Sequence, residues 1–356
     1  MGKPPITANQ VTLLRLILLP LGPYLLYGAV TEKWLALLFM TILGCTDFVD
    51  GWLARRYGST ELGRLMDPIA DKAFVLVGFL PFIHLTKDGV PWLYAWQVGL
   101  LLAREYVITA LRSVYEQRRI SPKTPLLAKI KAWAQMAGSG VVFLLRMVPE
   151  NYILYAIVLG TALPLVLLVI RYVAKRVVWK GALIFGGWFG VLLPIQQLFG
   201  SNATAHFLTV TIIGITWVSG FAYLTPLFPL IRKGELRLGD VVRLFGATVS
   251  PTLLLILHTQ QVLRPWVVML IMTIEISVYG LDNLLCFHRV QAGASLWGIR
   301  VGLIAGLSSL VLAGRPKELL YVALAVSVGL SAVEFYRGRR YYLEEPDGGE
   351  PRRNTD

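Results

Sequence analysis

The chain has 356 residues, 56% of them hydrophobic and 15% charged, with a mean hydropathy of +0.62. Soluble domains carry about 45–50% apolar and about 25% charged residues, so this composition excludes an ordinary water-soluble enzyme, a disordered chain and a disulfide scaffold. The net charge of +13, from 34 Lys and Arg against 21 Asp and Glu, would suggest nucleic acid in a soluble protein; here it fits basic residues flanking membrane spans, and no nucleic-acid partner is expected.

A membrane span needs about 20 apolar residues. In chain order such segments fall near 12–30, 34–53, 67–86, 92–113, 126–148 and 151–171, then near 180–199, 205–230, 240–259, 265–285, 295–313 and 318–336. The sequence therefore predicts an all-α integral membrane protein of about twelve transmembrane helices, with both termini on one side. Met1–Asn9 is short and polar, and no small-residue cleavage site follows the first apolar run, so no cleavable signal peptide is expected. With a cytoplasmic N-terminus, the far-side loops and span ends hold Lys33, Lys87, Arg146, Arg264, Arg315 and Lys317, six of the 34 lysines and arginines. That bias supports both the count and the direction. The basic joint Arg171-Tyr-Val-Ala-Lys-Arg-Val-Val-Trp-Lys180 separates two sets of six helices, predicting one domain over 1–175 and a second over 176–343. The polar tail 344–356 is expected to be disordered. Cys45 and Cys286 lie in apolar stretches and are not expected to pair, and the four histidines are scattered without metal-ligand spacing.

Against this background Asp47-Phe-Val-Asp50-Gly51-Trp-Leu-Ala54-Arg55 and Gly63-Arg-Leu-Met-Asp67-Pro-Ile-Ala-Asp71-Lys72 are anomalous. Each aspartate would cost about 2.5–3.5 kcal/mol at a span's centre and less near the interface. Asp47 and Asp50 are three apart and Asp67 and Asp71 four apart, so each pair shares one face of a helix. Joined by the short loop 56–62, the two faces can converge into a cage of four carboxylates. Hard oxygen ligands in that number suit Mg²⁺ or Mn²⁺, and two such ions about 4 Å apart can hold a diphosphate. Gly51 and Ala54 keep the same face small, and Pro68 fits the first turn of the second helix. The plain alternative is four aspartates solvated at helix ends and paired with Arg55, Arg64 and Lys72. A multi-span transporter is the alternative from another class, although the charge constellation sits at an interface and not at mid-membrane.

The pattern D-x2-D-G-x2-A-R-x7-G-x3-D-x3-D, complete from Asp47 to Asp71, resembles the signature of the CDP-alcohol phosphatidyltransferases, and the resemblance covers roughly residues 4–175. Ile6-Thr-Ala-Asn9-Gln-Val-Thr12-Leu-Leu-Arg15 is similar to the N-terminal juxtamembrane segment of members that use glycerol 3-phosphate, and Ala103-Arg104-Glu105 through Arg112 to their fourth helix. The resemblance implies a six-helix core in which an alcohol attacks the phosphatidyl phosphorus of CDP-diacylglycerol and expels CMP. It implies Asp47, Asp50, Asp67 and Asp71 as ligands of two Mg²⁺ or Mn²⁺ ions, Asp71 also serving as general base. Asp47, Gly51, Ala54, Arg55 and Gly63 match positions near the nucleotide. It further implies a multi-pass protein of a bacterial-type inner membrane, surrounded by membrane lipids, with the site facing the cytoplasm.

Arg104 and Arg112 lie eight apart, about two helical turns, and face the same way; the plain partner for Arg104 is Glu105 or a motif aspartate. Lys123, Lys129 and Lys131 resemble the family's lysine-bearing entry to the fifth helix, with Ala132 where Thr is common. A planar guanidinium can hold a phosphate at two points, and the five cations together argue for an anionic acceptor. Glycerol 3-phosphate is the expected one, with inositol phosphate and phosphatidylglycerol as alternatives; for the lysines, snorkelling to headgroups stays open.

The second half carries a faint echo of the first. Asn9–Pro20 runs beside Asp240–Pro251, and with small shifts Asp47, Gly63 and Glu105 fall on Asp282, Gly298 and Glu334. Asp50, Asp67 and Asp71 fall on Leu285, Gly302 and Gly306, so a duplicated piece would have lost its metal ligands. Chance matching of apolar helices is the alternative. Homodimers occur in the family, so either a homodimer or an intramolecular pseudo-dimer is expected. Glu275, Asp282 and Arg300 are expected to form one buried ion-pair set.

Overall fold

The computed structural model describes residues 7–58, 60–120, 126–176, 178, 180–288, 290 and 294–343, and these are almost entirely helical. Thr7 opens α1 (Ala8–Leu18): its hydroxyl accepts the Gln10 N–H, and the Gln10 side chain accepts the Thr7 N–H. Two donors that a helix start leaves free are thereby satisfied. The expected span at 12–30 is divided, because Pro20 has no N–H for the helical ladder and α2 (Leu21–Leu26) begins just after it. α3 (Val30–Tyr57) and α4 (Glu61–Phe79) follow, then a 3₁₀ turn over Leu80–Ile83. α4 starts six residues ahead of the expected 67, since the Thr60 hydroxyl accepts the Gly63 N–H at 3.0 Å and caps the helix there. Pro68 is therefore interior to α4 and not in its first turn. The carbonyl it leaves unbonded belongs to Arg64, an exposed residue that solvent can reach.

A two-residue hairpin, Thr86–Lys87 with Val90–Pro91, leads to α5 (Ala95–Arg118), α6 (Leu126–Met147) and α7 (Glu150–Lys175). α8 (Lys180–Leu224) runs through both spans expected at 180–199 and 205–230, broken at Gly200, whose φ of 74° glycine adopts without steric cost. Short α9 (Leu227–Arg232) precedes α10 (Leu238–Thr259), α11 (Pro265–Phe287), α12 (Ala294–Leu312), α13 (Glu318–Gly338) and the final turn α14 (Arg340–Leu343). Helix is present at each of the twelve expected positions. Seven of the described helices are long and apolar enough to cross a membrane by length and composition, and Gly298–Leu312 is a shorter apolar one. The chain is a multi-pass, all-helical membrane protein. The tail 344–356 lies outside the described residues.

The two sets of helices interlock. α8 packs along α6 and α7, α10 and α11 lie across α5, and α11 also crosses α4. The main core accordingly joins Phe79, Leu101 and Phe143 to Leu208, Leu254, Met272 and Leu320. Leu14, Ile17, Leu38, Leu159, Val169, Phe199 and Val322 stay exposed, a band of apolar surface suited to lipid. Cys45 and Cys286 are both free.

The ion pairs of the second half differ from expectation in one respect. Arg300 donates to Glu275 and, at 3.2 Å, to Glu334. Asp282 pairs instead with Arg243, at 3.0 and 3.1 Å, and Arg243 also reaches Asp240 at 3.3 Å. The expected single set is thus two, because α10 brings its own arginine to Asp282 before α12 can. Asp240 accepts a further bond from Arg118 of α5, tying the second half to the first.

Candidate active site

α1 lies against both α3 and α4, and its Arg15 is the organising cation. Only 1% of Arg15 is exposed. Its Nη1 donates to Asp47 at 2.7 Å and its Nη2 to Asp50 at 2.8 Å, while Asp71 Oδ1 stands 3.8 Å from Nη1. One turn earlier, the Thr12 hydroxyl lies 3.1 Å from both Asp50 Oδ2 and Asp67 Oδ1, so it spans the α3 and α4 carboxylates. Asp47 sits close enough to Asp71 for the two carboxyl groups to interact directly, and Asp50 and Asp67 feel Asp47 as a neighbouring charge. The four aspartates of the motif are thus brought together across two helices. Asp50 is buried, whereas the Asp47 and Asp71 side chains remain 35% and 50% exposed.

The donor set suits a hard divalent cation: four carboxylates against one guanidinium leave about three negative charges in a confined space. Asp71 Oδ1 is buried without a hydrogen-bond partner, an arrangement that is costly unless a ligand or proton satisfies it. As the side chains stand, Asp47 and Asp50 turn to Arg15, and among the described residues no three acidic, His or Cys side chains are already set around an ion position.

The small residues of the motif have two different surroundings. A side chain at Gly51 would meet only the Arg55 guanidinium, 3.4 Å away, so the face beside Asp50 is open to a ligand. At Gly63 a Cβ would stand 2.9 Å from Asn9 Oδ1. Asn9 in turn bonds the capping Thr60 at 2.8 Å, so this glycine lets α1 close on the start of α4. Ala54 is half-buried and Arg55 exposed.

Beyond Asp71, cations gather. Lys72 has Arg112 and Lys131 as neighbouring positive charges and Glu105 and Asp71 as neighbouring negative ones. Arg112 is half-buried and bonds the Tyr223 hydroxyl at 3.1 Å. Arg104 points away from the aspartates: it bonds Glu105, the Thr216 carbonyl and the Ser219 hydroxyl. Lys131 reaches Glu105 at 2.7 Å, and Gln135 reaches it at 3.1 Å. Lys123 and the side chain of Lys129 lie outside the described residues. Beside Asp47, a groove of about 490 Å³ runs between α3, α4 and α6, lined by Met40, Phe48, Phe74, Trp133, Gly140 and Phe143 among others.

A bundle of membrane helices that brings four aspartates of two of them together, with cations on one side and an apolar groove on the other, is the frame of a membrane enzyme. The chain belongs to the CDP-alcohol phosphatidyltransferase family, whose model matches residues 5–190. Relatives include the CDP-diacylglycerol–glycerol-3-phosphate 3-phosphatidyltransferase of Rickettsia typhi, 35% identical over an alignment of 149 residues that covers 38% of this chain and 80% of that protein. The protein of the same name from Escherichia coli is 33% identical over 132 residues, 36% of this chain and 71% of that one. No solved structure matches.

Arg15, Thr12 and Lys72 were not singled out from the sequence as site residues. The signals for the first two were their place in the family-like segment Ile6–Arg15 and the spacing of an arginine in an apolar run three residues after a threonine, which is one face of a helix. Tyr223, in the second half, carried no signal at all.

Proposed function

We propose that the chain transfers the phosphatidyl group of CDP-diacylglycerol to the hydroxyl of glycerol 3-phosphate, releasing CMP and forming phosphatidylglycerophosphate in phospholipid biosynthesis. The observation that carries this reading is the convergence of Asp47, Asp50, Asp67 and Asp71 beside an apolar groove. The activity for which the relatives are named points to the same acceptor. Asp47, Asp50, Asp67 and Asp71 would hold two divalent ions, Mg²⁺ or Mn²⁺, which when bound would neutralise the diphosphate and the charge developing on it. Asp47, Gly51, Ala54, Arg55 and Gly63 border the cytidine side, and the open face at Gly51 admits it. The groove between α3, α4 and α6 takes acyl chain. Arg112 and Lys131, with Lys123 and Lys129, hold the acceptor phosphate, and Arg104 braces Glu105 and Lys131 from behind.

Asp71, whose side chain is half exposed, takes the proton from the acceptor hydroxyl as that hydroxyl oxygen bonds to phosphorus and the phosphorus–oxygen bond to CMP breaks; a general base must have a free oxygen within reach of the proton. Purified protein is expected to release CMP from CDP-diacylglycerol when glycerol 3-phosphate and a divalent metal are present. EDTA should stop the release, and Mg²⁺ or Mn²⁺ restore it. Release only with inositol phosphate or phosphatidylglycerol would reject the acceptor.

The membrane is an inner membrane and the site faces the cytoplasm, a direction that the lysine and arginine bias supports. The second half, 176–343, is a degenerate copy of part of the catalytic domain (1–175) that occupies a partner's place as an intramolecular pseudo-dimer. Its packing of α10 and α11 across α4 and α5 supports this. A single active chain by mass measurement in detergent is the expected result, and activity confined to a dimer built through the first six helices would contradict it.

A further inference from the structure

The part of α8 beyond Gly200 lies against α5 and α6, and one of its faces is turned to the arginines of α5. The Thr216 carbonyl accepts from Arg104 Nε at 3.2 Å and the Ser219 hydroxyl from Arg104 Nη2 at 3.1 Å. Gly220 permits this contact, since a Cβ there would stand 3.2 Å from Arg104 Nε. About one turn further on, Tyr223 meets Arg112: its oxygen accepts from Nη2 at 3.1 Å, and the guanidinium carbon lies 5.2 Å from the ring centroid. Residues 216, 219 and 223 share one helical face, and the two helices run in the same direction, so two turns of one match two turns of the other.

The two arginines end in different electrical states. Arg104 is buried and its charge is met by Glu105. Arg112 makes no salt bridge among the described residues, and its hydrogen bond goes to Tyr223, a neutral phenol. Tyr223 is itself fixed: it is only 3% exposed, and its carbonyl accepts from the Tyr115 hydroxyl. A guanidinium anchored at one nitrogen and backed by a ring keeps its remaining N–H donors in a set plane, the arrangement that favours two-point binding of phosphate. The exposed Glu116, one turn on, is the acidic neighbour of Arg112 but forms no ion pair with it among the described residues, and Lys72 and Lys131 stand near with the same sign of charge, so the guanidinium is left able to take an anion.

We propose that the second half of the chain supplies a wall of the acceptor pocket, with Tyr223 the positioning residue that presents Arg112 to the acceptor's phosphate. This rests on the acceptor-site reading above and extends it to a part of the chain beyond the matched family segment, which ends at residue 190. The wall makes acceptor affinity depend on α8, while binding of CDP-diacylglycerol depends on α3, α4 and α6.

Tyr223→Phe in the full chain keeps the ring and removes the hydroxyl. It is expected to raise KM for glycerol 3-phosphate about tenfold, the size of a lost hydrogen bond to a charged group, with kcat and KM for CDP-diacylglycerol within about twofold of wild type. Trp217→Phe, which removes a bond from the same helix to the Leu100 carbonyl of α5, should leave both KM values unchanged. An equal rise in both KM values for Tyr223→Phe, or none in the acceptor's, overturns the assignment. Calorimetric titration with inorganic phosphate needs no turnover: about tenfold weaker binding by Tyr223→Phe supports the wall, and equal binding, or none by either protein, overturns it. A wild type that binds phosphate through Tyr223 yet releases no CMP with glycerol 3-phosphate would retire the proposed acceptor and leave the wall standing.

Discussion

Asp71→Asn is expected to lower CMP release by about 10²–10⁴-fold, the range attributed to a positioned general base, without unfolding the protein. Asparagine keeps the shape of the side chain but cannot take a proton. Loss of stability is not expected, because the Asp71 carboxylate has no hydrogen bond at Oδ1 and faces Asp47, a like charge. Removing it gives up the long 3.8 Å pairing with Arg15 but relieves the repulsion from Asp47, and it leaves Arg15 bonded to Asp47 and Asp50. Two measurements decide the matter: CMP release at saturating substrates, and thermal unfolding in detergent. Release within about tenfold of wild type would end the general-base assignment. A transporter, by contrast, would show altered uptake and no CMP-forming activity in either protein.

The second large effect lies far from the chemistry. Arg243→Met should destabilise the protein by about 3–5 kcal/mol, the cost of leaving a buried charge without its partner. Asp240, Arg243 and Asp282 are 0%, 5% and 1% exposed, so water cannot take the arginine's place. Asp240 keeps Arg118 when Arg243 is lost, but Asp282 keeps no cation. Pairing the change with Asp282→Leu should therefore recover much of the loss, since apolar side chains of similar volume commonly replace a buried pair without penalty. Denaturant or thermal unfolding of the two variants in the same detergent gives the comparison. A single variant within about 1 kcal/mol of wild type would mean that this network contributes little.

The spans and the motif were legible because each is a local pattern. Hydropathy over about 20 residues finds a span, and three- and four-residue spacings put Asp47 with Asp50 and Asp67 with Asp71 whatever else surrounds them. Helix ends were less legible, because caps decide them: Thr60 starts α4 well ahead of the apolar run and leaves Pro68 inside it. Partnerships across the fold were legible only in part: Glu275 pairs with Arg300 as its buried charge required, but Asp282 does not. Arg15 reaches residues 32 and 35 positions away, and Tyr223 reaches Arg112 across 111. Nothing in an apolar helix carrying Thr216, Ser219 and Tyr223 distinguishes a face turned to arginines from one turned to lipid. Arg104 illustrates the limit: its spacing from Arg112 implied a shared face, which both turn to α8, but not that its donors go to Glu105, Thr216 and Ser219.

The cation at the centre of the acidic cluster sits on the first helix, ahead of every carboxylate it meets. Synthesis proceeds from the N-terminus, so Arg15 leaves the ribosome before α3 and α4 emerge. The acidic hairpin can then enter the bilayer against a counter-charge already there, which lessens the cost of lodging ionised groups among lipid tails. Arg243 on α10 precedes Asp282 on α11 in the same way. At the acidic cluster, unlike at Glu275, which precedes its Arg300, chain order thereby doubles as an insertion schedule, and moving Arg15 to a later helix would give each aspartate a period in the translocon with no opposite charge beside it.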